Sequence, residues 1–295
     1  MKIGFIGLGI MGKPMVMNLM KAGYEAIVYD TDASRVEACR AAGAVPAASS
    51  KDVARQCDTV VTMLPNSPHV REAVCGRDGV LEGASAGSVL IDMSSIAPLA
   101  SREICVLCAS SGVRMIDAPV SGGEPKAVDG TLSIMCGGDR SVFESVKDGI
   151  LLKMGSSAVY CGEIGAGNTT KLANQIIVAC NIAALAEALT LAKRAGVDPN
   201  LVFEAVKGGL AGSAVMNAKA PMMLTGNTKP GFKVDLHIKD LANTLDTGRE
   251  VGAALPLTER VMEMMRELAE DGFGQEDHSS LAKYYEKLTG TSLGV

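Results

Sequence analysis

Three side chains in the run from Gly165 to Gly196, GAGNTTKLANQIIVACNIAALAEALTLAKRAG, are of types that can do chemistry together. Lys171, Asn174 and Gln175 stand at i, i+3 and i+4, so on a helix they share one face. An amine flanked by two amides is a proton donor with orienting groups beside it. A lysine near a helix start faces the positive end of the macrodipole, and burial disfavours its charged form; both effects are expected to lower its pKa and suit it to acid–base work near neutrality. A lysine that snorkels to water or pairs with a carboxylate is the other reading, and this stretch alone leaves the two open. No charged residue falls between Lys171 and Glu187, and apolar residues lie on all sides of the wheel, so the helix is expected to be buried all round. Asn174, Gln175 and Asn181 break its apolar run short of the roughly 18 residues of a membrane span.

A second set of chemically informative residues opens the chain. Lys2 to Ile6 reads as a short buried strand, Gly7-Leu8-Gly9-Ile10-Met11-Gly12 follows, and a helix is predicted to about Ala22. In this context the first glycine permits a tight turn, the second lets backbone approach a pyrophosphate, and the third lets helix and strand pack closely, with the helix N-terminus facing the phosphates. A second strand, Glu25 to Tyr29, ends at Asp30, where an acid can accept hydrogen bonds from ribose hydroxyls. The pattern predicts a dinucleotide site. Asp30 would repel the 2′-phosphate of NADP and favours NAD, while nearby Arg35 softens that preference and leaves NADP possible.

The alternation continues. Apolar runs from Thr59 to Leu64 and from Val89 to Met93 stop at Pro65-Asn66 and at Ser94-Ser95. Ligands of an open parallel sheet lie beyond the carboxyl ends of its strands, which puts Leu64, Pro65, Asn66 and Ser95 beside the cofactor; for Asn66 and Ser95 a turn or helix-cap role stays open. Strand Arg114–Asp117 precedes Ser121-Gly122-Gly123, a hydroxyl with two glycines whose backbone N–H groups can converge on an anion such as a substrate carboxylate, or which form a plain flexible turn. Segments Thr131–Cys136, a helix after Ser141, and Ser157–Tyr160 complete this part near Glu163. Beyond Gly196 only helical periodicity is seen, near Leu201–Lys207, Ile238–Val251, Leu257–Ala269 and Ser279–Leu288. Methionines 216, 222, 223, 262, 264 and 265 read as core or interface packing. Lys239 and Asp240 by themselves pass for a surface ion pair.

The totals restrict the function classes. A chain of 295 residues favours two domains, and net charge −5 with 3% aromatics argues against a nucleic-acid partner. Eight scattered cysteines, several in apolar segments, imply reduced thiols and a cytoplasmic setting rather than a disulfide framework. Cys105-x-x-Cys108 lacks a second pair, and with three histidines no metal site is expected. The expected fold is an α/β Rossmann-type domain over 1–163, a long interdomain helix over 164–195 and an all-α substrate and oligomerisation domain over 196–295.

Gly7-x-Gly9-x-x-Gly12, Asp117-Ala-Pro-Val-Ser121-Gly122-Gly123 and Gly165-x-Gly167-x-x-x-Lys171-x-x-Asn174, in this order, resemble the β-hydroxyacid dehydrogenase family over essentially the whole length. Within it, Met63-Leu-Pro-Asn-Ser-Pro-His-Val70, Asp92-Met-Ser-Ser-Ile-Ala-Pro98, Ser121-Gly-Gly-Glu-Pro-Lys126 and Asp235-Leu-His-Ile-Lys-Asp-Leu241 are most similar to the tartronate semialdehyde reductase branch. The resemblance implies that Lys171 is the catalytic acid–base, that Ser121, Gly122 and Gly123 hold the substrate, that Lys239 reaches towards cofactor and substrate, and that the protein is a homo-oligomer, with a tetramer as the expected size. Gln175 stands where many members carry a second asparagine, which leaves open whether Asn174 or Gln175 orients the substrate. The function implied is NAD(P)H-dependent reduction of a small carboxylate-bearing aldehyde. Alternatives are 3-hydroxyisobutyrate, glyoxylate or succinic semialdehyde chemistry and, from another class, a non-catalytic dinucleotide-binding module.

Overall fold

The computed structural model describes residues 1–294. The chain divides into two compact units, Met1–Lys171 and Leu172–Val295, with the division inside one long helix.

The first unit is an α/β fold. Its strands are β1 (Lys2–Ile6), β2 (Glu25–Tyr29), β3 (Val45–Pro46), β4 (Thr59–Thr62), β5 (Val89–Asp92), β6 (Arg114–Asp117), β7 (Val120–Ser121), β8 (Leu132–Gly138) and β9 (Gly155–Gly162). They form one sheet in the order β3-β2-β1-β4-β5-β6-β8-β7, with β9 paired to β8. β1 to β6 run parallel; β8 is antiparallel to both β6 and β7 and parallel to β9. The antiparallel turn at β8 was not visible in the alternating sequence. Side chains one residue apart serve opposite faces, as the pleat requires. Ile3, Phe5, Val28, Val61 and Ile91 enter one core; Ile6, Ile27, Val60 and Leu90 enter the other. Burial on both sides explains why these strands read as continuous apolar runs.

Helices α1 (Gly12–Lys21), α2 (Ala33–Arg40), α3 (Ser50–Gln56), α4 (Ser67–Cys75), α5 (Val80–Gly83), α6 (Pro98–Ser110), α7 (Gly123–Asp129), α8 (Arg140–Val146) and α9 (Leu152–Met154) connect the strands. Several begin on side-chain caps that satisfy first-turn N–H groups: Asp32 for α2, Ser49 for α3, Asn66 for α4 and Asp139 for α8.

Helix α10 (Ala166–Arg194) leads into the second unit, where α11 (Pro199–Val206), α12 (Ala214–Thr225), α13 (Val234–Val251), α14 (Pro256–Leu268) and α15 (Ala282–Thr289) follow. Ala179, Ile182, Ala186 and Leu189 form the buried stripe of α10 and share a core with Met223, Leu241, Met262, Met265 and Leu281. The expectation that α10 is buried all round is corrected: Ile177 is 61% and Leu191 71% exposed. Apolar residues cover more of its circumference than this chain packs against. By length and hydropathy α10 would also suffice to cross a membrane, so its interrupting amides do not settle that point; half of the apolar window is buried within the protein, as in a core helix. The sequence reading missed α12 because Pro221 lies inside it. A proline normally breaks a helix interior, but here the Ser213 cap and the buried Ala220, Met223 and Leu224 hold the segment.

One buried acid in the first unit is poorly accommodated. Asp92, at the end of β5, accepts bonds at Oδ1 from Thr62 Oγ1 (2.8 Å) and Ser94 N (3.2 Å), while its buried Oδ2 has no hydrogen-bond partner among the described residues. Burial pushes this carboxyl from 3.8 up to about 6. The folded state therefore binds the proton more tightly than the unfolded chain, and stability falls as pH rises through about 4 to 6, by up to about 3 kcal/mol. Asp92→Asn is expected to flatten this limb of the urea-midpoint curve; equal slopes in variant and wild type would contradict the assignment.

Candidate active site

The glycine loop has the geometry its spacing implies. Gly7 adopts φ +97°, and a Cβ there would meet Met63 O at 2.3 Å. A Cβ on Gly12 would meet Gly7 O at 1.9 Å, so the third glycine lets α1 start tight against the turn. Gly9 is different: among the described residues an added Cβ would meet nothing within 4 Å but Arg35 Nη1 at 3.8 Å, which leaves its backbone approachable from outside. This is the cradle a pyrophosphate needs, and the residues fit a dinucleotide. Leu8, Gly9 and Ile10 edge a groove of about 740 Å³ together with Lys13 and Arg35. Asp30 holds the loop from below, accepting Leu8 N–H at Oδ2 (2.7 Å) and Asp32 N–H at Oδ1 (2.8 Å).

The other expected cofactor residues lie at the carboxyl ends of neighbouring strands. β1 sits between β2 and β4, where the strand order reverses, which is where such sheets take ligands. Leu64 donates its N–H to Ser94 Oγ (2.8 Å), and Pro65 beside it is exposed. Asn66 accepts Ser67 N–H at 2.9 Å and caps α4, so its cap role is realised. Ser95 is half-buried just beyond β5. Ser121 ends β7, and Gly122 (φ +139°) and Gly123 (φ +69°) turn the chain into α7. The two glycines are thus required by the turn, while the N–H groups of the first helical turn have no intrahelical acceptors.

Lys171 is set by a clasp that sequence reasoning missed. Asp117, buried at the end of β6, accepts Gly165 N–H at Oδ1 (2.8 Å) and Asn168 N–H at Oδ2 (2.7 Å), capping the start of α10. Burial raises its carboxyl above the ordinary range, and those two N–H bonds oppose the rise. Asn168 in turn accepts Ile96 N–H (3.1 Å) and donates to Ser101 Oγ (3.1 Å). A Cβ on Gly167 would meet Met135 O at 2.4 Å and Asp117 O at 2.7 Å, so only glycine allows the helix to begin so close to the sheet. Lys171 follows in the second turn and is 7% exposed, which excludes a lysine extended into bulk water.

One turn further along α10, Asn174 is half-buried and Gln175 is 3% exposed. Gln175 donates Nε2–H to Asp240 Oδ2 (2.7 Å) and accepts Asn174 Nδ2–H at Oε1 (2.8 Å). Asp240 Oδ1 lies 2.8 Å from Lys239 Nζ. Gln175 therefore backs the pair, and Asn174 is the amide at the more open position. Lys239 and Asp240 are not the surface pair their sequence alone indicated: Asp240 is 1% and Lys239 19% exposed, in the second turn of α13. Also unforeseen are two buried histidines. His237 Nδ1 and His278 Nδ1 are 2.9 Å apart, so one donates while the other accepts, and His237 Nε2 faces Gln175 O at 3.4 Å. Nothing local signals this contact across 41 residues.

The chain matches known proteins along its length. Residues 2–162 match the model of the NAD binding domain of 6-phosphogluconate dehydrogenase, and residues 165–285 that of the NAD-binding domain of NADP-dependent 3-hydroxyisobutyrate dehydrogenase. The chain is 40% identical to 2-hydroxy-3-oxopropionate reductase of Escherichia coli K12, with 99% of this chain and 100% of the relative aligned. It is 38% identical to 2-(hydroxymethyl)glutarate dehydrogenase of Eubacterium barkeri, over 99% of this chain and 97% of that one. The solved 3-hydroxyisobutyrate dehydrogenase of Mycobacterium tuberculosis with L-serine superposes with TM-score 0.89 at 31% identity, covering 96% of this chain and 98% of that one. With the dinucleotide loop, the buried lysine and these full-length matches together, the chain belongs to the 3-hydroxyacid dehydrogenase family of NAD(P)-dependent oxidoreductases acting on a CH–OH group.

Proposed function

We propose that the protein reduces tartronate semialdehyde (2-hydroxy-3-oxopropanoate) to glycerate, reversibly, with NADH as the preferred coenzyme and Lys171 as general acid–base. The carrying observation is the buried Lys171 with Asn174 one turn on, the latter oriented by Gln175 and Asp240. The substrate assignment is supported by the 40% identity to the reductase of Escherichia coli. Ser121 with Gly122 and Gly123 is the proposed seat of the substrate carboxylate, and Asp30 the acceptor that favours NAD.

A bound nicotinamide supplies the hydride. Negative charge then develops on the carbonyl oxygen, where the Lys171 ammonium donates a hydrogen bond and transfers its proton. In the oxidative direction the neutral Lys171 amine takes the proton from the alcohol. Removing such a positioned donor typically costs about a hundredfold or more in rate.

We further propose a homo-oligomer. The supporting observation is the exposed apolar side chains of Ile177 and Leu191 on α10, with Leu201 and Leu257 also exposed in the same unit. Light scattering of the purified protein is expected to give a multiple of the 30.5 kDa chain, and a monomer at micromolar concentration would contradict it.

Lys171→Ala is expected to lower kcat by about a hundredfold or more while NADH binding, followed by coenzyme fluorescence, stays close to wild type. Parallel loss of binding and turnover would make Lys171 structural. A panel of tartronate semialdehyde, methylmalonate semialdehyde, succinic semialdehyde and glyoxylate with each nicotinamide is expected to give the highest kcat/KM for the first with NADH. A higher value for any other aldehyde would reassign the substrate.

A further inference from the structure

Two acids and one cation crowd the end of β2. Asp30 spends both oxygens on backbone N–H groups, of Leu8 and of Asp32. Asp32 caps α2, its Oδ1 accepting Ser34 N–H (2.9 Å) and the Ser34 hydroxyl (2.6 Å). Those bonds hold its carboxyl below the ordinary range. Its other oxygen, Oδ2, lies 3.2 Å from Arg35 Nε, and Arg35 Nη1 lies 3.6 Å from Asp30 Oδ2. Arg35 is thus held along its Nε edge by Asp32 while its tip lies against Asp30, beside the open backbone of Gly9.

The chemistry at this place is a choice between a hydroxyl and a phosphate. The adenosine ribose of a dinucleotide lies against the acid that ends the second strand. NAD offers that acid a 2′-hydroxyl donor. NADP brings a phosphate of nearly two negative charges, which calls for a cation able to leave the acids and turn onto it. Arg35 is positioned to be that cation, but Asp32 neutralises and restrains it.

We propose that Asp32 is a specificity-determining residue for the coenzyme: by tethering Arg35 it denies a partner to the 2′-phosphate and so selects NAD over NADP. The proposal rests on the dinucleotide reading of the glycine loop and adds a residue that touches neither coenzyme nor substrate. The tether is an exposed pair of little weight for stability. Its effect lies in where Arg35 is kept.

Asp32→Asn tests this without removing the cap, since asparagine caps as well as aspartate. Dissociation constants for NADH and NADPH are read by coenzyme fluorescence, and those for 5′-AMP and 2′,5′-ADP by calorimetry. Arg35 released from Asp32 and free to meet the phosphate predicts about tenfold or more tighter binding of NADPH and 2′,5′-ADP, with NADH changed by less than about threefold. Adding Arg35→Ala is expected to abolish the gain. The proposal is overturned if the NADPH-to-NADH ratio does not move, if the gain survives Arg35→Ala, or if the wild-type protein already binds NADPH as tightly as NADH. Failure of the wild type to bind either dinucleotide would instead overturn the reading of the loop itself.

Discussion

The carboxylate of Asp117 is the constraint on which the placement of Lys171 depends. It leaves the end of a central strand and takes the first N–H groups of α10, so the sheet and the helix share one buried anion. A helix N-terminus favours such a charge, and two backbone N–H bonds offset part of its desolvation. Asn168 extends the clasp to the loop after β5 and to α6. The position of Lys171 then follows from helix geometry, because it is three residues beyond Asn168 on a rod whose start is fixed at several points.

A second arrangement of the same kind orients the amide. Asp240 can only accept when ionised, so it dictates which end of Gln175 faces it, and Gln175 in turn dictates which end of Asn174 faces inward. A carboxamide has two ends of similar shape and opposite hydrogen-bonding sense. Here a charge behind the two amides fixes which end of each faces it. Lys239 partners the same carboxylate, which offsets the cost of burying an anion at that depth.

Features written in consecutive residues were legible in the sequence. The strand, glycine loop, helix and Asp30 follow one another within thirty residues, and Gly7 and Gly12 each have a local steric reason. The continuous apolar runs marked the parallel strands, and the 3.6-period runs most helices of the second unit. What escaped depends on distant partners or on rules that tertiary packing overrides. The Asp117 clasp joins residues 48 and 51 apart, and the Gln175–Asp240 bond spans 65, so the role of each amide was undecidable from spacing. Pro221 hid a helix that core contacts maintain, and the exposed side of α10 was hidden because its apolar residues encircle the axis. Of Lys239 and Asp240, an ordinary charged pair in sequence, the acid is buried and the lysine half-buried by their surroundings.

The close start of α10 at Gly167 also bears on how such a chain can vary in length. Each residue of an α-helix turns the next by about 100°, so one residue gained or lost between Asn168 and Lys171 would swing the amine, and every residue after it on the rod, to another side relative to the clasp. The few residues from Gly165 to Lys171 work as a gear train, in which a single added tooth would put the amine out of register with the clasp.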